Sequence, residues 1–481
     1  MSLKLLGKNA VIYAIGNIGA RAAVFLLIPL YTHSLSVADF GLLATLQVTI
    51  RIMSVVIGGG MSTTLLRFTK EYEQKHRLGS LLGTSILVVF LNGIVVAAAV
   101  FALLPWLFRR ILHTPDVYSC IGLACCAALA EAMSTHIMSY YRARHEAVRF
   151  MITGISTAVL LFAVTFVLVR QWRLGVTGAM AALVLAHSSI FLGVLLCIVR
   201  RTGLRFSWSL VPNLARFGFP LIWSQCSEMV IASAGVYLLS YFVGLEAVAV
   251  YSLGYKLSLI LLITTISPFS LAFEPYVYST MDGSGQKERI ARSFTYMVFC
   301  AVFMSSGLLL ATRLLLPKVA PPEYASAFLV VLLLIPGTIF MGVFYFGQAL
   351  LNAAQKTRTI ALVSTAVAGI SFALSYVLIA RFDWRGAVLA FDISFILLGS
   401  IVTVLGVKDF SIGLERRRIC VLACLLLSIL LALFALRRLP VLPFAVLSVS
   451  VALVGILVLL LYGFFHENER LLFRQLAAKF C

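Results

Sequence analysis

Two arginines stand where this chain can least tolerate a charge. Arg21 falls near the middle of an apolar segment over Asn9–Tyr31, and Arg51 near the middle of a second over Phe40–Leu66. At ~1.5 Å rise per residue they lie about 18 Å and about 16 Å along their helices. In a hydrocarbon layer ~30 Å thick that is mid-depth, where a guanidinium persists only against water, an anion or a partner group. Two readings follow: a structural arginine that pairs or snorkels within a bundle, or a cationic site for an anionic substrate. Lys256 and Glu228 are further mid-span charges, and Glu131 and Asp392 are acids of the same type as Glu228. A carboxyl in a low-dielectric cavity beside movable cations can exchange a proton, so these acids are candidates for ion coupling or for charge neutralisation.

The elements that must position these residues are membrane helices. Of 481 residues, 62% are hydrophobic and 12% charged. Soluble domains run at about 45–50% apolar and about 25% charged. Apolar runs of about 20 residues recur from end to end, the spacing of a polytopic helical bundle rather than of barrel strands. The fold class expected is therefore all-α with about 14 spans. The opening pair is followed by Leu81–Trp106, Tyr118–Tyr140, Phe150–Val169 and Val176–Val199. After a basic connector come Phe217–Phe242, Glu246–Thr280, Ser293–Ala311, Ala325–Asn352, Thr359–Ala380 and Gly386–Val407, then Ile419–Leu436 and Leu442–Phe465. Pro268 and Pro275 are expected to kink the eighth span or end it early. No cleavable signal is evident, and the first span reads as retained.

The net charge of +20 comes from short basic clusters between apolar runs, the pattern of the positive-inside rule rather than of nucleic-acid binding. With the N-terminus in the cytoplasm, about 25 lysines and arginines fall on the inner connections against about 10 on the outer ones. Both termini are then cytoplasmic, as an even number of spans requires. A basic tail over Phe465–Cys481 has the pattern of a helix lying on an anionic leaflet.

The chain repeats itself at an offset of about 208–210 residues, read by aligning segments. Tyr141–Arg149 matches Leu351–Thr359, Trp172-Arg173 matches Trp384-Arg385, and Leu35–Gly41 matches Val243–Ala249. This divides the chain into lobes over residues 1–208 and 209–410 and a helix pair with tail over 411–481. Six spans per lobe relate the lobes by an axis along the membrane normal, with a site expected between them near mid-depth. Shifted by ~208 positions, Lys256 falls one helical turn from Arg51, and Glu228 falls beside Arg21. Arg21, Arg51 and Lys256 are thus the candidate anion ligands. Pro29, and Glu274 beside Pro275, are candidates for gating; Pro220, Pro336 and Gly58-Gly-Gly60 also interrupt spans.

No catalytic centre is apparent: the chain has no Walker loop, HExxH, GxSxG or CxxC pair. The nine cysteines lie almost entirely in apolar runs and read as small buried hydrophobes. His136 and His187 read as interior histidines, and no cluster has metal-ligand spacing. No cofactor, metal or nucleic-acid partner is expected.

Several local patterns resemble the polysaccharide-transport (Wzx-type) flippases of the multidrug/oligosaccharidyl-lipid/polysaccharide exporter superfamily. They are Lys8-Asn-Ala through Pro29-Leu-Tyr31, Asp39-Phe-Gly41, Tyr141-Arg-Ala-Arg144, Phe217-Gly-Phe-Pro220-Leu, and Val250–Lys256 followed by Pro268 and Glu274-Pro275. The resemblance implies translocation of an undecaprenyl-diphosphate-linked oligosaccharide from the cytoplasmic to the outer leaflet of a bacterial inner membrane, with counter-ion movement driving return of the emptied carrier. It also implies membrane lipids as surroundings, and a polysaccharide polymerase or other assembly proteins as partners. Lys256 stands where an arginine is the commoner choice in that family. The alternatives are a multidrug or solute antiporter of the same superfamily, and a non-transporting scaffold of a glycan-assembly complex.

Overall fold

A computed structural model describes residues 25–103, 105, 117–280, 286–461 and 464. Every regular element among them is helical. The helices are α1 (residues 25–34), α2 (Val37–Gly58), α3 (Met61–Gln74), α4 (Leu78–Leu103), α5 (Val117–Ala143), α6 (Ala147–Thr165), α7 (Gly175–Thr202) and α8 (Val211–Phe242). They continue as α9 (Leu245–Leu261), α10 (Ser267–Thr280), α11 (Gln286–Val319), α12 (Ala327–Ala353), α13 (Thr357–Phe382), α14 (Trp384–Asp409), α15 (Arg416–Leu436) and α16 (Val441–Leu461). Twelve helical segments among the described residues are long and apolar enough to cross a membrane. The expected seventh span lies within the 32-residue α8, while most of the expected first span, with Arg21, lies outside the described residues. The basic tail beyond Phe464 does too.

The helices run back and forth between two ends, one marked by Ser36 and the other by Arg77. Large apolar side chains face outward, among them Leu442 at 75% exposure, which suits a hydrocarbon surround rather than water. Inside, α5 packs closely on α7 and α2, while α12 packs on α14 and α8 on α13. The two groups meet where α2 crosses α9 and where α2 and α3 touch α8.

Local sequence explains the breaks in these long rods. Ser36 caps α2, accepting the Asp39 N–H at 3.1 Å while its hydroxyl donates to the Asp39 carboxylate at 2.7 Å. Gly59 and Gly60 adopt left-handed φ of 57° and 70° and separate α2 from α3, as the glycine run foreshadows. Asn92 of α4 donates its amide to the carbonyls of Val56 and Ile57 at 2.8 and 2.9 Å, which the break leaves short of helical partners. In the expected eighth span a π-turn over Leu262–Ile266 precedes Pro268. That proline has no N–H to offer the preceding turn, and the wider turn absorbs the change of register.

The repeated segments fold alike. His145 and Gln355, 210 positions apart, both have φ of 58°, and Arg173 and Asp383 have 54° and 63°. In the matching turns Glu146 N–H donates to the Tyr141 carbonyl and Lys356 N–H to that of Leu351, each at 2.9 Å.

Two arginines fasten the last helix pair to α11. At the Ser36 end Arg313 donates to the Leu439 carbonyl at 3.1 Å and lies 5.7 and 5.8 Å from the rings of Phe328 and Phe444. At the other end Arg418 donates to the Tyr296 hydroxyl of α11 at 3.4 Å and lies 5.5 Å from that ring, while the Phe464 ring, at 4.3 Å, and both Glu415 oxygens, at 2.9 Å, hold it from within the pair.

Candidate functional site

The crossing of α2 and α9 brings two of the expected cations together. Lys256 Nζ donates to Gln47 Oε1 at 2.9 Å, a contact between residues 209 positions apart, so nearly equivalent positions of the two repeats meet. Gln47 and Arg51 are one turn apart on the same face of α2. Arg51 therefore faces the space that Lys256 faces, lies close to Tyr255 of α9, and remains exposed. Thr49 and Tyr237 join α2 to α8 at 2.8 Å beside them. Neither Arg51 nor Lys256 forms an ion pair with a carboxylate among the described residues. Two basic side chains without a carboxylate partner among the described residues, inside an apolar bundle, can hold an anion.

A seal lies on the Ser36 side of these cations. The Lys256 ammonium sits 5.2 Å from the Phe40 ring centroid, and Phe40 meets Tyr324 edge-on at 5.7 Å. Thr32 of α1 donates to the Val319 carbonyl at 2.6 Å. Gly41 abuts the Leu245 backbone so closely that a Cβ there would stand 1.8 Å from its carbonyl oxygen. Toward the Arg77 end, Gly60 and Gly218 make a similar backbone contact, and Phe68 meets Phe217 at 5.6 Å.

The acids occupy separate places. Glu228 of α8, half-buried, hydrogen-bonds with Gln348 of α12 and forms no ion pair with a described cation. Gln225, on the neighbouring face, is exposed. Asp392 of α14 accepts the Gly337 N–H at 3.0 Å, next to Pro336 in α12. A Cβ at Gly337 would stand 2.3 Å from that carboxylate oxygen, so glycine is what lets the carboxylate reach the backbone. Glu131 of α5 lies beside His187 of α7. His136 Nε2 pairs with Ser85 Oγ at 3.0 Å. Pro29 sits in α1 with its carbonyl 2.9 Å from His33 Nδ1, and Glu274 lies in α10 beyond the π-turn. No cluster of metal-ligating side chains occurs among the described residues. Gln47 and Gln348, neutral and so without the cost that singles out a buried charge, carry no composition signal; only the 209-residue offset from Lys256 could have pointed to Gln47.

A second feature lies outside the helix groups. Between α15 and α16 runs a groove of about 880 Å³ lined by Cys424, Leu425, Ile429, Val451, Gly455 and Val458. Its serines, Ser428 and Ser450, donate to their own helix carbonyls at 2.8 and 2.9 Å, so the lining offers hydrocarbon contact and little else.

Several solved structures share this architecture. The lipid II flippase MurJ, in an inward closed conformation, matches with a TM-score of 0.75 at 12% identity, over 92% of this chain and 98% of that one. A multidrug resistance MATE family transporter of the MOP superfamily, inward-facing, matches at 0.62 and 15% identity over 85% of this chain and 95% of that one. A MOP superfamily transporter from Pyrococcus furiosus, described as having a binding pocket of reverse polarity, matches at 0.61 and 14% identity over 84% and 96%. These likenesses establish the fold. No curated protein matches the sequence. Residues 6–281, more than half of the chain, match the family described as polysaccharide biosynthesis protein, and the chain belongs to that family.

Proposed function

We propose that this protein is a flippase that moves an undecaprenyl-diphosphate-linked oligosaccharide from the cytoplasmic to the outer leaflet of a bacterial plasma membrane. The observation that carries the reading is the Arg51–Gln47–Lys256 group, two cations facing one space without a described carboxylate counter-charge. A diphosphate supplies the missing negative charge. Arg51 can hold two of its oxygens in a fork, and Lys256 contributes a point charge whose direction Gln47 fixes. Arg21 is the third ligand of this proposal.

The lobes over residues 1–208 and 209–410 rock about the α2–α9 crossing, and the pair within 411–481 stays with α11 through Arg313 and Arg418. The positive-inside rule puts the Arg77 end and both termini in the cytoplasm. The Phe40–Tyr324 and Thr32–Val319 contacts then close the outer side, so the cargo loads from the cytoplasmic leaflet. Its polyprenyl tail stays in hydrocarbon along the α15–α16 groove, while Gln225, Glu228 and Gln348 offer hydrogen bonds to sugar hydroxyls. Ion coupling is assigned to Glu228, Glu131 and Asp392, and gating to Pro29 and Glu274. A polymerase or other assembly protein would receive the product.

The test is export. Alanine at Arg21, Arg51 or Lys256, singly and together, is expected to abolish surface polysaccharide while membrane levels of the protein are unchanged. Full complementation by the triple variant would overturn the assignment.

A further inference from the structure

The connector between α7 and α8, residues 203–210, is held more tightly than a linker between two moving parts requires. Arg205 N–H donates to the Gly79 carbonyl at 3.1 Å, and Ser207 N–H donates to Thr84 Oγ1 at 3.0 Å. Gly79 and Gly83 lie one turn apart on α4 and form the flat face that receives it. A Cβ at Gly79 would stand 2.8 Å from the carbonyl oxygens of Thr202 and Gly203, and one at Gly83 would stand 2.3 Å from that of Arg205.

With its backbone spent on α4, the connector turns its side chains outward. Trp208 is 71% exposed and Phe206 39%, and their rings meet edge-on at 4.7 Å. Arg205 is exposed, as are Arg200 and Arg201 where α7 ends and Arg77 two residues before Gly79. None of these four arginines forms an ion pair with a carboxylate among the described residues. The nearby acids are already engaged: Glu71 by Lys75 at 2.7 Å, Glu73 by Arg144 at 3.0 Å, and Glu146 by Arg149. Exposed aromatic rings belong at headgroup depth, and guanidinium groups beside them meet phosphates.

We propose that this connector, with Arg77, Arg200 and Arg201, is a docking surface for the headgroup of an anionic phospholipid. The proposal rests on the placement of the Arg77 end at the cytoplasmic leaflet and not on the identity of the cargo. The headgroup bridges arginines from α7, the connector and the α3–α4 turn. It thereby fixes the connector to the first helix group, and rocking of the second begins at the short 3-10 turn Trp208–Leu210. Lipid composition then acts on the junction between the lobes.

Binding can be read without any cargo. The full chain is titrated in neutral detergent with phosphatidylglycerol or phosphatidylcholine, and retained lipid is counted by native mass spectrometry. Preferential retention of phosphatidylglycerol is expected. At about fivefold per arginine, the triple variant Arg77→Gln, Arg201→Gln, Arg205→Gln should weaken it ~100-fold. The charge-matched control Lys287→Gln, Arg358→Gln, Lys408→Gln, on other loops of the same end, should stay within about twofold of wild type. Gly83→Val keeps all four arginines but lifts the connector off α4, and it should weaken retention too; charge alone would leave it unchanged. Equal losses in control and triple variant, or equal retention of both lipids, would overturn the proposal. An export-dead protein that still retains phosphatidylglycerol would count against the transport reading alone.

Discussion

Asn92 offers the sharpest test of how the break in α2 is held. Its amide gives both protons to Val56 and Ile57, at 2.8 and 2.9 Å. The Val56 carbonyl has a second donor in Gly59 N–H at 3.2 Å, whereas the Ile57 carbonyl depends more heavily on Asn92. Asn92→Leu keeps the bulk and removes both donors. A buried acceptor left without a partner costs ~1–3 kcal/mol, so the two together would cost about 2–6 kcal/mol, and about 2–4 kcal/mol once the share that Gly59 covers is taken off. That equals roughly a 30-fold to 700-fold change in the equilibrium between the broken and straightened forms of α2–α3. Asn92→Asp should be worse, since it sets a carboxylate against two carbonyls. The assay is a distance distribution between spin labels at Lys70 of α3 and Arg216 of α8, both exposed, with the melting temperature alongside. The expected result is a broadened or displaced distribution in Asn92→Leu, with a further effect in Asn92→Asp. Wild-type distances and melting temperature in both variants would refute the argument that Asn92 holds the break.

Two further substitutions probe the seal and the helix pair. Gly41→Ala places a Cβ 1.8 Å from the Leu245 oxygen, so α2 and α9 must part by about 1.6 Å to restore a 3.4 Å contact. Overpacking of this kind costs ~1–3 kcal/mol, and labelling of a cysteine at Thr32 by a membrane-impermeant maleimide should rise. Arg313→Ala removes one charged hydrogen bond and two ring contacts, about 2–4 kcal/mol in all. Hydrogen exchange should then quicken across Arg437–Leu461 while α5 and α7 keep their protection.

What the sequence reveals follows from what it costs to bury. Apolar runs had to be helices, since a hydrocarbon layer leaves no other way to satisfy the backbone, and the described helices match the expected spans closely. The glycine run predicts the α2–α3 break because few other residues adopt left-handed φ cheaply. Arg51 and Lys256 stand out as charges at mid-span, and the repeat sets them one turn apart; the α2–α9 crossing brings them to one space. Partners of ordinary polarity are silent. Gln47, Asn92 and Gln348 could as well be solvent-facing amides, and only their neighbours give them roles. Asp392 reads as an exchangeable acid from sequence alone, yet its carboxylate is engaged by a backbone N–H from a helix 55 residues away.

That last contact bears on how motion and charge are linked. Pro336 interrupts the hydrogen-bond ladder of α12, and the adjacent Gly337 N–H turns to Asp392 of α14. In the first helix group Asn92 plays the converse part, donating to carbonyls freed by the glycine break in α2. Each group of helices thus contains an interrupted helix whose exposed backbone is satisfied by a polar side chain from a neighbour. The chemistry is of opposite sense in the two, a donor on one side and an acceptor on the other. An amide cannot change its donor count with pH, whereas a carboxylate can lose its acceptor strength when it takes a proton. The second group therefore has the break that a bound proton could release. On the proposed transport reading, a protonation-linked step is accommodated at Asp392 and not at the glycine hinge.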